Sequence, residues 1–180
     1  MSEIQVTSDN SKLRIILAGL LATLVVVAIG VFLYFSLICP CERTPGAYLF
    51  GDVVDEEITD WSFANDVPLC QIQVWAGVRP HAVNLNCMAT PQGELFLSCG
   101  NCVNKYWAGE VGDNEQGRLR LNGSVYPVRV RRVLDDRVLD QAWGARAAKL
   151  RVHAGPGNPA PAQGVLRGEG WWSFQILSSI

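Results

Sequence analysis

Cys70-Gln71-Ile72-Gln73-Val74-Trp75 and Ala82-Val83-Asn84-Leu85-Asn86-Cys87 decide the fold of this chain. In the first stretch residues 70, 72 and 74 are apolar and Gln71 and Gln73 lie between them; the second alternates in the same way through Val83, Leu85 and Cys87. A period of two marks a strand with one buried face. Joined as a hairpin around Gly77 to Pro80, the register that sets Ile72 against Leu85 also sets Val74 against Val83 and Cys70 against Cys87. One face is then wholly apolar, and the other carries Gln71, Gln73, Asn84 and Asn86, a segregation that a one-residue slip destroys. Side chains directly opposite each other on antiparallel strands have Cβ atoms about 4.5–5.5 Å apart, so a Cys70–Cys87 disulfide is feasible in an oxidising compartment.

Working outward, Thr90-Pro91-Gln92-Gly93 is a turn signal, and Glu94 to Cys99 is a third strand with Leu95, Leu97 and Cys99 on one side. Residues 103 to 111 suit a short helix. Asn122-Gly123 joins Gly117–Leu121 to Val125–Val133, a strong hairpin signal because both turn residues must accept positive φ. That hairpin puts Leu119 and Leu121 on a face with Tyr126, Val128 and Val130, and crowds Arg118, Arg120, Arg129 and Arg131 on the other. Helical spacing runs from Asp135 to about Arg151 through Val138, Leu139, Ala142, Trp143, Ala147 and Leu150. Gly155 to Gly164 reads as an irregular loop, and Trp171 to Leu177 as a last strand. No internal repeat is visible. A mostly antiparallel sheet of about six short strands tends to close on itself and so protect its edges, which makes a small β-barrel with short helices the expected fold.

The chain has 180 residues, 49% hydrophobic and 18% charged, room for one domain of ordinary size plus an appendage. Fifteen Lys and Arg against seventeen Asp and Glu give a net charge of −2, which offers nucleic acid no electrostatic footing. The apolar content excludes a disordered chain, and six Cys are too few for a disulfide-only miniprotein.

From Ile15 to Ile38 no charge occurs. As a helix this run is about 36 Å long, enough for the roughly 30 Å hydrocarbon layer. Tyr34 near its downstream end suits the headgroup zone. A cleaved signal peptide is the rival reading, but its apolar core is usually shorter and ends in a small-x-small site, which this run lacks. Ile38 also stands before Cys39 where a lipoprotein box needs a small residue. Lys12 and Arg14 precede the helix and only Arg43 closely follows it, ahead of Asp52, Asp55, Glu56, Glu57 and Asp60. The positive-inside tendency therefore predicts a cytoplasmic tail at 1–14, a transmembrane helix at 15–38, a juxtamembrane linker at 39–60 and an extracytoplasmic barrel domain at 61–180, periplasmic in a bacterium.

Several residues are candidates for chemistry. Cys99-Gly100-Asn101-Cys102, between a strand and a short helix, has the spacing of a dithiol redox motif, but the surroundings are not thioredoxin-like and a structural disulfide or idle thiols is the simpler reading. Only Cys39 and Cys41 are close enough in sequence to suggest a metal, with no second pair and no nearby His, so no metal is expected. The four Arg of the hairpin suit a phosphate or carboxylate, or simply a soluble edge. His81 and His153 have no Ser or Cys at interpretable spacing, and the six Trp read as core or interface.

Glu94–Cys99, then Lys105-Tyr106-Trp107 entering a short helix, then Gly117-Arg118-Leu119-Arg120-Leu121-Asn122-Gly123-Ser124-Val125-Tyr126-Pro127-Val128-Arg129, and the late Trp171-Trp172-Ser173-Phe174 strand together resemble the split β-barrel superfamily of pyridoxamine-phosphate-oxidase-like and deazaflavin-dependent nitroreductase proteins. The resemblance spans roughly residues 60 to 177. It implies a split barrel that binds FMN or the deazaflavin F420, often in a groove at a dimer interface. Lys105 would contact the phosphate, with Tyr106 and Trp107 beside it and Arg118 and Arg120 as further donors. The segment from Gly109 to Gly117 departs from the family pattern and brings in Glu110, Asp113 and Glu115, whose like charge disfavours an anionic ligand nearby. The expected function is therefore a non-catalytic accessory or assembly subunit whose partners are the bilayer and other membrane-protein subunits or a second copy, without a cofactor. A membrane-anchored flavin- or F420-type oxidoreductase is the alternative, and a dithiol protein using Cys99 and Cys102 comes third.

Overall fold

The computed structural model describes residues 3–37, 46–77 and 79–180. The chain divides after Leu37 into two units. The first is one helix, α1 (Glu3–Leu37). Its stretch Asn10–Phe35 is long and apolar enough to cross a membrane, and side chains such as Leu20, Leu24 and Phe32 are exposed along it.

The second unit is a barrel. Its strands are β1 (Asp52–Val53), β2 (Cys70–Ala76), β3 (Arg79–Ala89), β4 (Leu95–Cys99), β5 (Glu115–Leu121), β6 (Ser124–Arg132) and β7 (Trp172–Ser178). Six of them pair antiparallel in the circuit β6-β5-β2-β3-β4-β7, and β7 returns to β6 to close it. β5 lies along one edge of β6. The other edge is shared, β7 pairing with Val128–Arg132 and β1 lying parallel at Ser124 and Val125. Closure removes the free edges that a six-strand open sheet would leave.

The alternation seen in the sequence becomes inside and outside. Ile72, Val74, Cys87, Leu95, Leu97, Leu119, Val128, Val130, Phe174 and Ile176 fill the interior, joined by Trp107 from α2 (Tyr106–Glu110). Each large apolar side chain taken fully out of water contributes roughly 1.5–3 kcal/mol before conformational entropy is subtracted. A second cluster forms outside, where α3 (Asp136–His153) lays Leu139 and Ala142 over Met88, Phe96, Val133 and Trp171. Asp135 caps α3 by accepting from the backbone N–H groups of Arg137 (2.9 Å) and Val138 (3.2 Å), which sets its start. At the β5–β6 turn Asn122 and Gly123 take φ of 49° and 88°, as the Asn-Gly signal requires.

Two expectations need correction. The β2–β3 register is Cys70↔Leu85, Ile72↔Val83 and Val74↔His81, displaced by two residues from the one derived above. The strands run on to the pair Ala76↔Arg79, so the connection is shorter than Gly77 to Pro80, and Gly77 turns the chain with φ of 63°. A shift of two keeps every side chain on its face, and Cys70 and Cys87 become diagonal neighbours. The linker reading also fails in part. From Gly46 onward the chain belongs to the barrel unit: Gly46 bridges to Ala82, Ala47 and Leu49 are buried, and β1 pairs with β6. The preceding residues 39–45, with Cys39, Cys41 and Arg43, lie outside the described residues.

Candidate functional site

Because β3 and β4 turn alternate residues outward, Asn84, Asn86 and Ser98 lie on the outer face of the barrel, with Asn86 opposite Ser98 in the ladder. The end of α3 and the turn that follows it form the facing wall. Gly155 and Asn158 bond each other's backbones (3.2 and 2.9 Å) and hold that turn in place. Between the two walls runs a groove of about 630 Å³, lined also by Cys99 at the end of β4, by Lys105 just ahead of α2 and by Arg146 and His153 from α3.

Its walls are tied by polar side chains. Asn86 Nδ2 donates to Asn158 Oδ1 at 3.0 Å, and an Arg146 terminal nitrogen donates to the same oxygen at 3.1 Å. The Arg146 guanidinium lies 5.3 Å from the centre of the Trp143 ring, and its burial lowers its pKa. The His153 Nε2 lies 2.9 Å from the carbonyl oxygen of Asn65, which fixes the ring. One group is left over. Ser98 lines the groove and is 2% exposed, and its buried hydroxyl has no hydrogen-bond partner among the described residues. Among the described residues the lining carries Lys105, Arg146 and His153 and no Asp or Glu, so the groove favours an anion.

The residues implied by the resemblance part company here. Lys105 lines the groove. Tyr106 is exposed, its ring 6.2 Å from that of His81, and Trp107 is buried with its ring 5.1 Å from Phe174, a core residue rather than a ligand platform. Arg118 and Arg120 lie on a different stretch of the outer wall and hold the 46–54 segment. Arg118 Nε donates to the Leu49 carbonyl (3.2 Å) with its guanidinium 4.8 Å over Tyr48, and Arg120 donates to Gln71 Oε1 (2.5 Å) and to the Phe50 carbonyl (3.0 Å). The like-charge argument does not carry over to this groove, since none of Glu110, Asp113 and Glu115 lines it; Asp113 lines a separate cleft with Glu94, Arg131 and Arg132. Sequence reasoning missed Ser98, Arg146 and Asn158. The available signal was Gly155-Pro156-Gly157-Asn158, a turn immediately after a helix.

Two cysteine pairs are joined in the structure, Cys70 to Cys87 with Cα atoms 5.9 Å apart and Cys99 to Cys102 with Cα atoms 5.7 Å apart. Their surroundings differ. All four belong to the core cluster, and of them Cys99 also lines the groove. No protein-family model, curated protein or solved structure matches this chain.

Proposed function

We propose that the chain is a single-pass, membrane-anchored accessory module, with α1 held among lipid and other membrane helices and the barrel on the extracytoplasmic side. The observation that carries this reading is the contrast between the two units. The barrel fills its own interior, whereas Asn10–Phe35 is a single apolar helix that, taken by itself, has no core to bury its side chains in. An apolar helix of that length is stable only where lipid or another helix surrounds it. Lys12 and Arg14 ahead of the span support a cytoplasmic N-terminus. An alkaline phosphatase fused after Ile180 should be active and a cytosolic reporter at the same place silent, and deleting residues 1–41 should release the barrel from membranes and from any co-purifying subunits. The reverse reporter pattern would overturn the topology, and a barrel that stays with its partners after the deletion would overturn docking through the helix.

A second reading rests on the groove. Lys105, Arg146 and the unpaired Ser98 hydroxyl are donors suited to a phosphate, which supports the FMN- or F420-type oxidoreductase of the split-barrel resemblance. Such a cofactor would supply hydride chemistry, while these residues would bind its phosphate and orient it. An absorption spectrum of the gently purified protein separates the two readings. A visible flavin or deazaflavin that is lost in Lys105→Glu supports the enzyme; a colourless protein that fails to bind added FMN or F420 removes it.

A further inference from the structure

We propose that Cys99–Cys102 is a thiol–disulfide exchange site, and that the groove beside it receives a cysteine-containing peptide segment of acidic character. Three observations converge on it. The pair is asymmetric: Cys99 keeps 9% of its surface exposed and lines the groove, whereas Cys102 is 0% exposed. Cys99 is therefore the member of the pair that an incoming thiolate approaches. The groove beside Cys99 carries Lys105 and Arg146 with no carboxylate among the described lining residues, a setting that favours a thiolate and attracts an acidic segment. Ser98, adjacent to Cys99, has a buried hydroxyl with no partner among the described residues and lines the same groove. The other pair provides an internal contrast, because Cys70 and Cys87 are both wholly buried and neither lines the groove.

The exchange balances with a dithiol as the only co-reactant. A substrate thiolate attacks Cys99 Sγ, the Cys99–Cys102 bond breaks, and its electron pair leaves on the Cys102 sulfur, which takes up the proton given by the first substrate thiol. A mixed disulfide now joins Cys99 to the substrate. The second substrate thiol loses its proton and attacks the substrate sulfur of that bond, and Cys99 leaves as a thiolate that Lys105 and Arg146 stabilise until it is protonated. A leaving thiol of lower pKa departs faster, which is the contribution of the two cations. The substrate dithiol is oxidised to a disulfide by two electrons, and Cys99 and Cys102 are reduced to thiols. The same steps in reverse reduce a substrate disulfide.

The test uses the full chain in detergent, air-oxidised, with a synthetic two-cysteine peptide flanked either by Glu or by Lys, followed by alkylation and peptide mass mapping without denaturant. The proposal expects Cys99 to become alkylated while Cys70 and Cys87 stay joined, with one peptide disulfide formed per Cys99–Cys102 pair opened. The Glu-flanked peptide should react about tenfold faster than the Lys-flanked one at low salt. Cys102→Ala should accumulate the mixed disulfide on Cys99, and Lys105→Gln should move the pH midpoint of Cys99 alkylation upward. A Cys99–Cys102 bond that opens only when Cys70–Cys87 opens, or not at all without denaturant, overturns the proposal. Equal rates for the two peptides together with an unmoved midpoint would overturn the role given to the groove.

Discussion

The side-chain amine of Lys149 donates to the backbone carbonyl of Cys87 and lies 3.5 Å from the Cys87 sulfur, so a residue of α3 is bonded to the strand that carries one of the two disulfides. The same nitrogen donates to the carbonyl of Ala64 at 2.6 Å, which ties the short 3-10 helix Ser62–Asp66 to the same point. Asn65 completes this corner, donating to the Ala89 carbonyl (3.0 Å) and accepting from its N–H (2.9 Å).

Burial pushes the Lys149 amine down to about 8, against an opposing pull from the negative charge of Asp66. In the unfolded chain the amine keeps its ordinary value of 10.5, so between pH 8 and 10.5 unfolding takes up a proton. Stability contributed by this site therefore rises with pH across that window, by about 2 kcal/mol. Denaturant titrations of the barrel at pH 7.5 and pH 10 should show the rise, and Lys149→Met should flatten it. Parallel pH profiles for the two proteins would exclude Lys149 as the source.

The Cys70–Cys87 bond closes a loop between residues 17 apart in sequence. Replacing both cysteines with Ala should lower unfolding free energy by about 3 kcal/mol, mostly through a freer unfolded chain. A lower urea midpoint together with a steeper slope, from the more expanded unfolded chain, would report this. Opening Cys99–Cys102 should cost much less, because its residues are only 3 apart and the loop it closes is short.

Arg118 holds the carbonyl of Leu49 and stacks on Tyr48. Arg118→Ala should loosen the 46–54 segment while the barrel core keeps its protection, so amide exchange at Leu49 and Val54 is expected to speed up about tenfold, equivalent to 1.4 kcal/mol of local stability. Faster exchange spread evenly over β2 and β5 would instead mean that the arginine supports the whole barrel.

The Ser98 hydroxyl is buried without a partner. Losing it should stabilise the barrel by about 1 kcal/mol, since an unsatisfied polar group is removed with little loss of packing. Ser98→Ala is thus expected to raise the melting temperature while slowing exchange with the Glu-flanked peptide. A lower melting temperature would show that the hydroxyl already has a structural partner such as a fixed water.

Local signals were legible because local physics produces them. The alternation in Cys70–Trp75 and Ala82–Cys87 assigned inside and outside correctly, Asn122-Gly123 placed the β5–β6 turn, Asp135 marked the start of α3, and the uncharged run from Ile15 announced the long apolar helix. The β2–β3 register was beyond that reach for a definite reason. A period of two is unchanged by a shift of two residues, so hydrophobic pattern alone cannot choose between Cys70↔Cys87 and the observed Cys70↔Leu85; the length of the turn chooses. Barrel closure through β6 and β7, and the capture of residues 46–54 by Arg118 and Arg120, rest on contacts between segments far apart in the chain. So does the groove, where Ser98, Lys105, Arg146 and Asn158 meet only because α3 packs across the outer faces of β3 and β4. Periodicity tells each residue which way it faces, and only the folded chain decides what it faces.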